Sequence, residues 1–270
     1  MKKKFIIFQI FIFGFISAQK YSFTYEMKYK PNPDKDSVIT QNMVLDVSGL
    51  KSVFRSELEK KNDSSWISSG KIARISTSLE DNFYVSKNLE TGETYKYISQ
   101  MFNNYMILID EKPVWKLLNE TKKENEFMIQ KSQAEYGERI WTAWFTTEIP
   151  LQEGPYVFCG LPGLITEISD SSGDYHFTLV EIKKSDGKLY EKQKPLKINW
   201  EQYQKLFLSY YSDPTGNING KNVNSTVNID WKDEKGIEVS PDFREMNERE
   251  QKQMRENNNP VELNHKISFK

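Results

Sequence analysis

The chain has 270 residues, with 37 Lys and Arg against 38 Asp and Glu, and 13% of its side chains are aromatic. Near-balanced charge argues against nucleic acid as a partner, because phosphate binding shows as a basic excess or stripe. The single cysteine, Cys159, excludes an intrachain disulfide. An ordinary hydrophobic core must therefore hold the fold, and one domain is expected.

Lys2, Lys3 and Lys4, the apolar run from Phe5 to Ile16 and the small Ser17-Ala18 read as a secretory signal peptide over residues 1–19, cleaved near Ala18 or Gln19. The apolar run is about a dozen residues long, where a membrane span needs about twenty. Without the three leader lysines, 34 basic side chains face 38 acidic ones, a net of −4. No second long apolar segment follows, so an exported protein of the periplasm or outer cell envelope is expected, with no transmembrane span after cleavage.

The body reads as strands. Tyr21, Phe23, Tyr25, Met27 and Tyr29 alternate with polar residues, the pattern of a half-buried strand. Residues 42–47 and 51–58 form a hairpin across Ser48-Gly49, and 82–87 and 94–98 another across Glu90-Thr91-Gly92. Strands at 105–109, 115–118, 127–131 and 139–145 continue the pattern, and 164–169 with 175–182 close a last hairpin around Asp170 to Asp174. Consecutive short strands imply a mainly β or α+β fold: a curved antiparallel meander or a partly open barrel, with one or two helices against it.

Two segments are helical. From Trp200 to Tyr211, behind Asn199 as N-cap, Tyr203, Leu206, Phe207 and Tyr210 share one face. From Pro241 to Asn257, behind Ser240, the apolar stripe is thin, so 241–270 is expected as a polar C-terminal helix or arm on a single strand-rich domain over 20–240.

Between them lies Gly160-Leu161-Pro162-Gly163-Leu164-Ile165, apolar yet built on glycine and proline. Pro162 fixes its own φ, and Gly163 is expected at positive φ in a type II turn, making a buried corner. This hexapeptide, with Trp141 to Trp144, Glu148-Ile149-Pro150 and Gly154-Pro155-Tyr156 before it, resembles the signature of the GLPGLI family, exported proteins of Bacteroidetes. The resemblance implies a single exported domain in a bacterial envelope, near outer-membrane transport systems, and no catalytic residues. The additional cysteine that the family often carries upstream of the tryptophan segment is missing around 130–134.

The aromatic residues Trp141, Trp144 and Tyr156 are the candidate binding residues. The two tryptophans lie three apart and so point to opposite faces of a strand. A catalytic alternative uses Cys159 with His176, or an acidic pair near Glu148 and Glu153. Nothing specifies a base orienter or an oxyanion pocket for the thiol, and no spacing selects a carboxylate pair. No metal or cofactor is expected: Asp170, Asp174 and His176 fall short of a ligand set and read as turn residues. The expected function is non-catalytic binding of an envelope protein, a peptide or a lipid-like ligand. An uncharacterised enzyme is the alternative.

Overall fold

The computed structural model describes residues 20–70, 83–100, 103–192, 195–216 and 241–269; the leader, Asn82 and Ser240 lie outside the described residues. The fold is mostly β. Its strands are β1 (Lys20–Tyr29), β2 (Ile39–Ser48), β3 (Lys51–Ser56), β4 (Val85–Asn88), β5 (Glu93–Gln100), β6 (Asn103–Leu108), β7 (Lys116–Glu124), β8 (Phe127–Tyr136), β9 (Arg139–Thr146), β10 (Leu164–Asp170), β11 (Tyr175–Lys184) and β12 (Leu196–Ile198). Among the described residues three helices pack on them: α1 (Glu57–Ser69), α2 (Trp200–Ser212) and α3 (Phe243–Glu256).

These twelve strands of the described residues form one open sheet in the order β12-β6-β5-β4-β3-β2-β1-β11-β10-β9-β8-β7. Two antiparallel meanders, β1 to β6 and β7 to β11, meet where β1 pairs with β11 in the middle. The exception to the antiparallel pattern is β12, which lies parallel to β6. The alternation predicted for β1 holds: Phe23, Tyr25, Met27 and Tyr29 all enter the main core.

That core lies on one face, and the sheet must curl around it. Lys96 on β5 and Tyr136 on β8 both reach the carboxylate of Glu262. β5 and β8 are third and eleventh in the sheet order, which in a flat sheet would set them about 38 Å apart. Only strong curvature, the accumulated twist of a long antiparallel sheet, brings them to one atom group. The result is a trough, filled by the 147–163 loop, by α2 and by the C-terminal segment.

The opposite face carries a smaller cluster of Val53, Tyr84 and Tyr97. Beside it, α1 is a helix that sequence periodicity does not reveal, and its first residues overlap the strand expected over 51–58. Ser56 caps it by accepting from Glu59 N, and Gly70 ends it in the left-handed region. Its buried side chains are Glu59 and Asp63, not apolar ones. Arg55, wholly buried, bonds Asp46 at 3.1 Å and lies 3.7 Å from Asp63. Burial raises the Asp63 carboxyl above its ordinary range, and Lys192, Tyr84 and Arg55 only partly offset this.

The expected Asn199 cap of α2 is present, with Gln202 completing a reciprocal capping box. For α3 the cap is Asp242, whose carboxylate accepts from Arg244 N and Glu245 N, and not Ser240. The charged composition of 241–270 suggests a solvated arm, but Met254, Asn259, Val261, Glu262 and Ile267 are buried in the structure. The tail after α3 is an internal wall of the trough.

Candidate functional site

The signature loop lies in the trough. Leu151, Tyr156, Val157, Phe158, Leu161, Leu164 and Ile165 are buried, while Gly160 and Pro162 face solvent. Phe158 is the hub of an aromatic cluster, with its ring 4.5 Å from Trp141 and within 6.4 Å of Tyr136, Tyr156 and Trp115. Backbone bonds from Gly160 N to Gln152 O, Leu164 N to Ile149 O and Ile165 N to Glu153 O hold the loop on itself.

The glycine expectation needs correcting. Positive φ falls at Gly160, at 92°, and not at Gly163. Gly163 is demanded by contact instead: a Cβ there would lie 2.0 Å from Thr146 O and 2.6 Å from Thr146 C. The end of β9 crosses the corner so closely that no side chain fits between the two backbones, whereas Gly160 faces open space.

Charged groups from both wings converge under the loop and the tail. Lys87 Nζ bonds Gly154 O at 2.7 Å and forms a buried ion pair with Glu153 Oε2, also at 2.7 Å. Arg139 donates to Asp170 at 2.7 Å, Asp174 at 3.0 Å, Asn259 at 2.6 Å and Pro260 O at 3.0 Å. Glu262 receives Lys96 at 2.7 Å, Tyr136 at 2.9 Å and Tyr156 at 2.6 Å. Tyr156 sits at φ 53°, a left-handed conformation that costs about 1 kcal/mol or more for a bulky L residue and that concentrates at functional sites.

Burial alone would raise the Glu262 carboxyl, but the Lys96 ammonium and the hydroxyls of Tyr156 and Tyr136 outweigh it and hold the group below its ordinary value. A depressed carboxyl contributes stability that is present above the unfolded-state pKa and is lost as pH falls through the folded-state one. Stability measured by urea unfolding should therefore drop on acidification below the ordinary glutamate range, and Glu262→Gln should flatten that drop. Equal slopes for the two proteins would contradict this assignment.

Beside Lys96 an aromatic cavity of about 110 Å³ opens between the sheet, α2 and the tail. Tyr29, Phe83, Tyr175, Tyr203, Phe207 and Met254 supply much of its apolar wall, and Asn257, Asn258 and His265 supply polar edges. The His265 ring stacks on Trp200 with centroids 3.9 Å apart. Small-molecule sites share this kind of lining, apolar walls with a few converging polar groups.

Trp141 and Tyr156 are wholly buried, so as folded neither offers a surface to a partner. Trp144, on the opposite face as its spacing predicts, is partly exposed under Lys122 and Lys131, whose ammonium groups sit 4.5 and 5.8 Å from its ring centroid. Cys159 and His176 are not brought together. His176 lies between the core residues Tyr175 and Phe177 and so faces away from the trough, bonded to Glu167 at 3.0 Å. That bond, more than the Lys122 contact, holds the Glu167 carboxyl below its ordinary range.

Burial pushes the Cys159 thiol up, with Lys87 only partly opposing it. Iodoacetamide should therefore alkylate Cys159 more slowly than a free thiol at neutral pH, gaining speed only above the ordinary thiol range; fast labelling near pH 7 would contradict this. Glu148 is exposed and accepts from Met128 N, whereas Glu153 is buried on Lys87, so the acidic pair does not form. Asp170 and Asp174 neutralise Arg139, and Asp170 Oδ1 also accepts the backbone N–H groups of Asp174 and Tyr175, the chemistry of a turn. Among the described residues no group of three or more His, Cys, Asp or Glu is placed to hold a metal.

Lys96, Arg139 and Glu262, the charged groups that organise the trough, were not singled out from sequence. A glutamate flanked by Val261 and Leu263 in an otherwise polar tail was the available signal.

Residues 89–167 match a family model described as a protein of unknown function, Porph_ging. This interval holds β5 to β9, the signature loop and the start of β10. No curated protein matches the sequence. Among solved structures, two of PNGF-II, in C2 and P21 space groups, are similar with a TM-score of 0.50 at 13% and 14% identity. The matches cover 70% of this chain but only 32% and 33% of those chains, so it spans about a third of their length. At that identity the likeness concerns the fold alone. No helix among the described residues is long and apolar enough to cross a membrane.

Proposed function

We propose that this is an exported, non-catalytic cell-envelope protein of the GLPGLI kind, from a Bacteroidetes bacterium, that binds a partner protein, a peptide or a lipid-like ligand in support of outer-membrane transport. The observation that carries the reading is the aromatic cavity beside Lys96, where apolar walls and a few polar groups converge. Its volume of about 110 Å³ is smaller than a cavity of about 150 Å³ that takes benzene. The cavity is open on one side, so the ligand enters by a short branched group or by part of one ring whose remainder stays outside, and not by a whole acyl chain. The sequence resemblance to the GLPGLI signature, the leader and the hexapeptide within the matched family interval favour the envelope setting.

Native mass spectrometry of mature protein purified from its own envelope should reveal a bound species that organic extraction removes. Phe207→Trp, which fills the cavity from α2, should abolish it. If no adduct is found, and wild type and Phe207→Trp retain the same envelope proteins when immobilised, the cavity is not the binding site.

A further inference from the structure

Glu262 meets the trough as a ligand would. It belongs to the tail, yet its carboxylate is taken by donors from three separate elements, Lys96 of β5, Tyr136 of β8 and Tyr156 of the signature loop. Both hydroxyls donate to Oε1 and the ammonium takes Oε2. One cation for charge with two hydroxyls for direction is the chemistry of a carboxylate receptor, and charge-assisted bonds of this kind are the strong ones.

Lys96 also lines the aromatic cavity, so the receptor and the apolar space are contiguous. The segment that delivers Glu262 walls the same cavity through Val261, His265, Ile267 and Phe269. Its other polar attachments include a bond from Arg139 to Pro260 O. Asn259 bonds Arg139 and Lys30 O, Tyr175 donates to Asn259 O, Leu263 N bonds Gly137 O, and Asn264 reaches Glu111. The His265 stack on Trp200 completes the closure.

We propose that Lys96, Tyr136 and Tyr156, with the adjoining cavity, form a binding site for a carboxylate carried on one small apolar group, and that the C-terminal segment is its resident occupant. Glu262 holds the site shut until such a carboxylate displaces it. The inference rests on the cavity reading above and adds the head-group chemistry and the closing device. Two sources share this chemistry: a free aryl-alkyl acid, and the terminal carboxylate of a peptide ending in a hydrophobic residue.

The test titrates 3-phenylpropionate and its neutral amide against full-length mature wild type and Glu262→Ala by calorimetry. Removing the competing carboxylate should tighten binding of the acid by roughly tenfold or more, while the amide binds neither protein well. Equal affinity of the acid for both proteins, equal binding of acid and amide, or no binding of either compound overturns the proposal. In the second case the apolar cavity stands and only the carboxylate receptor falls.

Should Glu262→Ala not fold, wild type decides. Saturating acid should speed amide hydrogen exchange at 259–267 several-fold, and unchanged protection overturns the proposal. A short peptide ending in phenylalanine, compared with its C-terminal amide, assigns the source: binding of the peptide acid points to peptides, and binding of 3-phenylpropionate alone points to a small free acid.

Discussion

Gly163→Val is expected to lower the unfolding free energy by at least about 3 kcal/mol, among the largest single-residue effects in the chain. The added Cβ would sit 2.0 Å from Thr146 O, a backbone atom that cannot swing away as a flexible side-chain end would. Thr146 is paired with Leu164 in the β9–β10 ladder, so moving it also disturbs the corner itself. Gly160→Ala is the informative companion. Its backbone is left-handed but its surroundings are open, so the cost should be about 1–2 kcal/mol. Urea unfolding measures both: the midpoint should fall much further for Gly163→Val, with the denaturant slope unchanged. A Gly163→Val cost below that of Gly160→Ala would mean that the close approach to Thr146 does not govern the corner.

Arg139→Met should be comparably severe, at about 3–5 kcal/mol, because it leaves buried carboxylates without their cation. Asp170 and Asp174 both bond Arg139 Nη1, and Nη2 reaches across to Asn259 and Pro260 O in the tail. One guanidinium therefore ties the β10–β11 hairpin to the C-terminal segment. Arg139→Lys keeps the charge but loses the fork, and should fall between wild type and Arg139→Met. Adding Asp170→Asn to Arg139→Met should recover part of the loss, since one uncompensated charge is removed. If the double variant is less stable than Arg139→Met alone, the loss does not arise from stranded charge.

Much of the sheet was legible because strand burial follows a period of two. Phe23, Tyr25, Met27 and Tyr29 could be read straight off the alternation, and turn chemistry at Ser48-Gly49, Glu90-Thr91-Gly92 and Asp170 to Asp174 located three hairpins. α2 was legible for the matching reason, an aromatic stripe at helical spacing behind an Asn cap. α1 was not, because the face it buries is built from Glu59 and Asp63, and a helix held by ion pairs has no apolar period to detect. Ser56 with Glu59 three residues on, and Gly70 beyond the last turn, were its remaining signals.

The candidate site was less legible than the fold. The signature loop stood out by composition, yet the sequence suggested a strained φ at Gly163 where the structure has a backbone contact. Local geometry can suggest where a glycine is needed. It cannot tell whether the reason is torsional or steric when the partner strand is set by long-range pairing. Trp141 and Tyr156 were picked as binding residues for their ring size, and the same size explains their burial around Phe158.

The sequence by itself determined the strand-rich class, the hairpins, the capped helix α2 and the importance of the Gly160–Ile165 corner, since each rests on local periodicity or turn chemistry. Only the tertiary structure decided that Lys96, Tyr136 and Tyr156 meet on Glu262 and that Arg139 reaches Asn259. The contacts to Glu262 span 106 to 166 residues of sequence and depend on how far a long sheet curls, which no local pattern encodes.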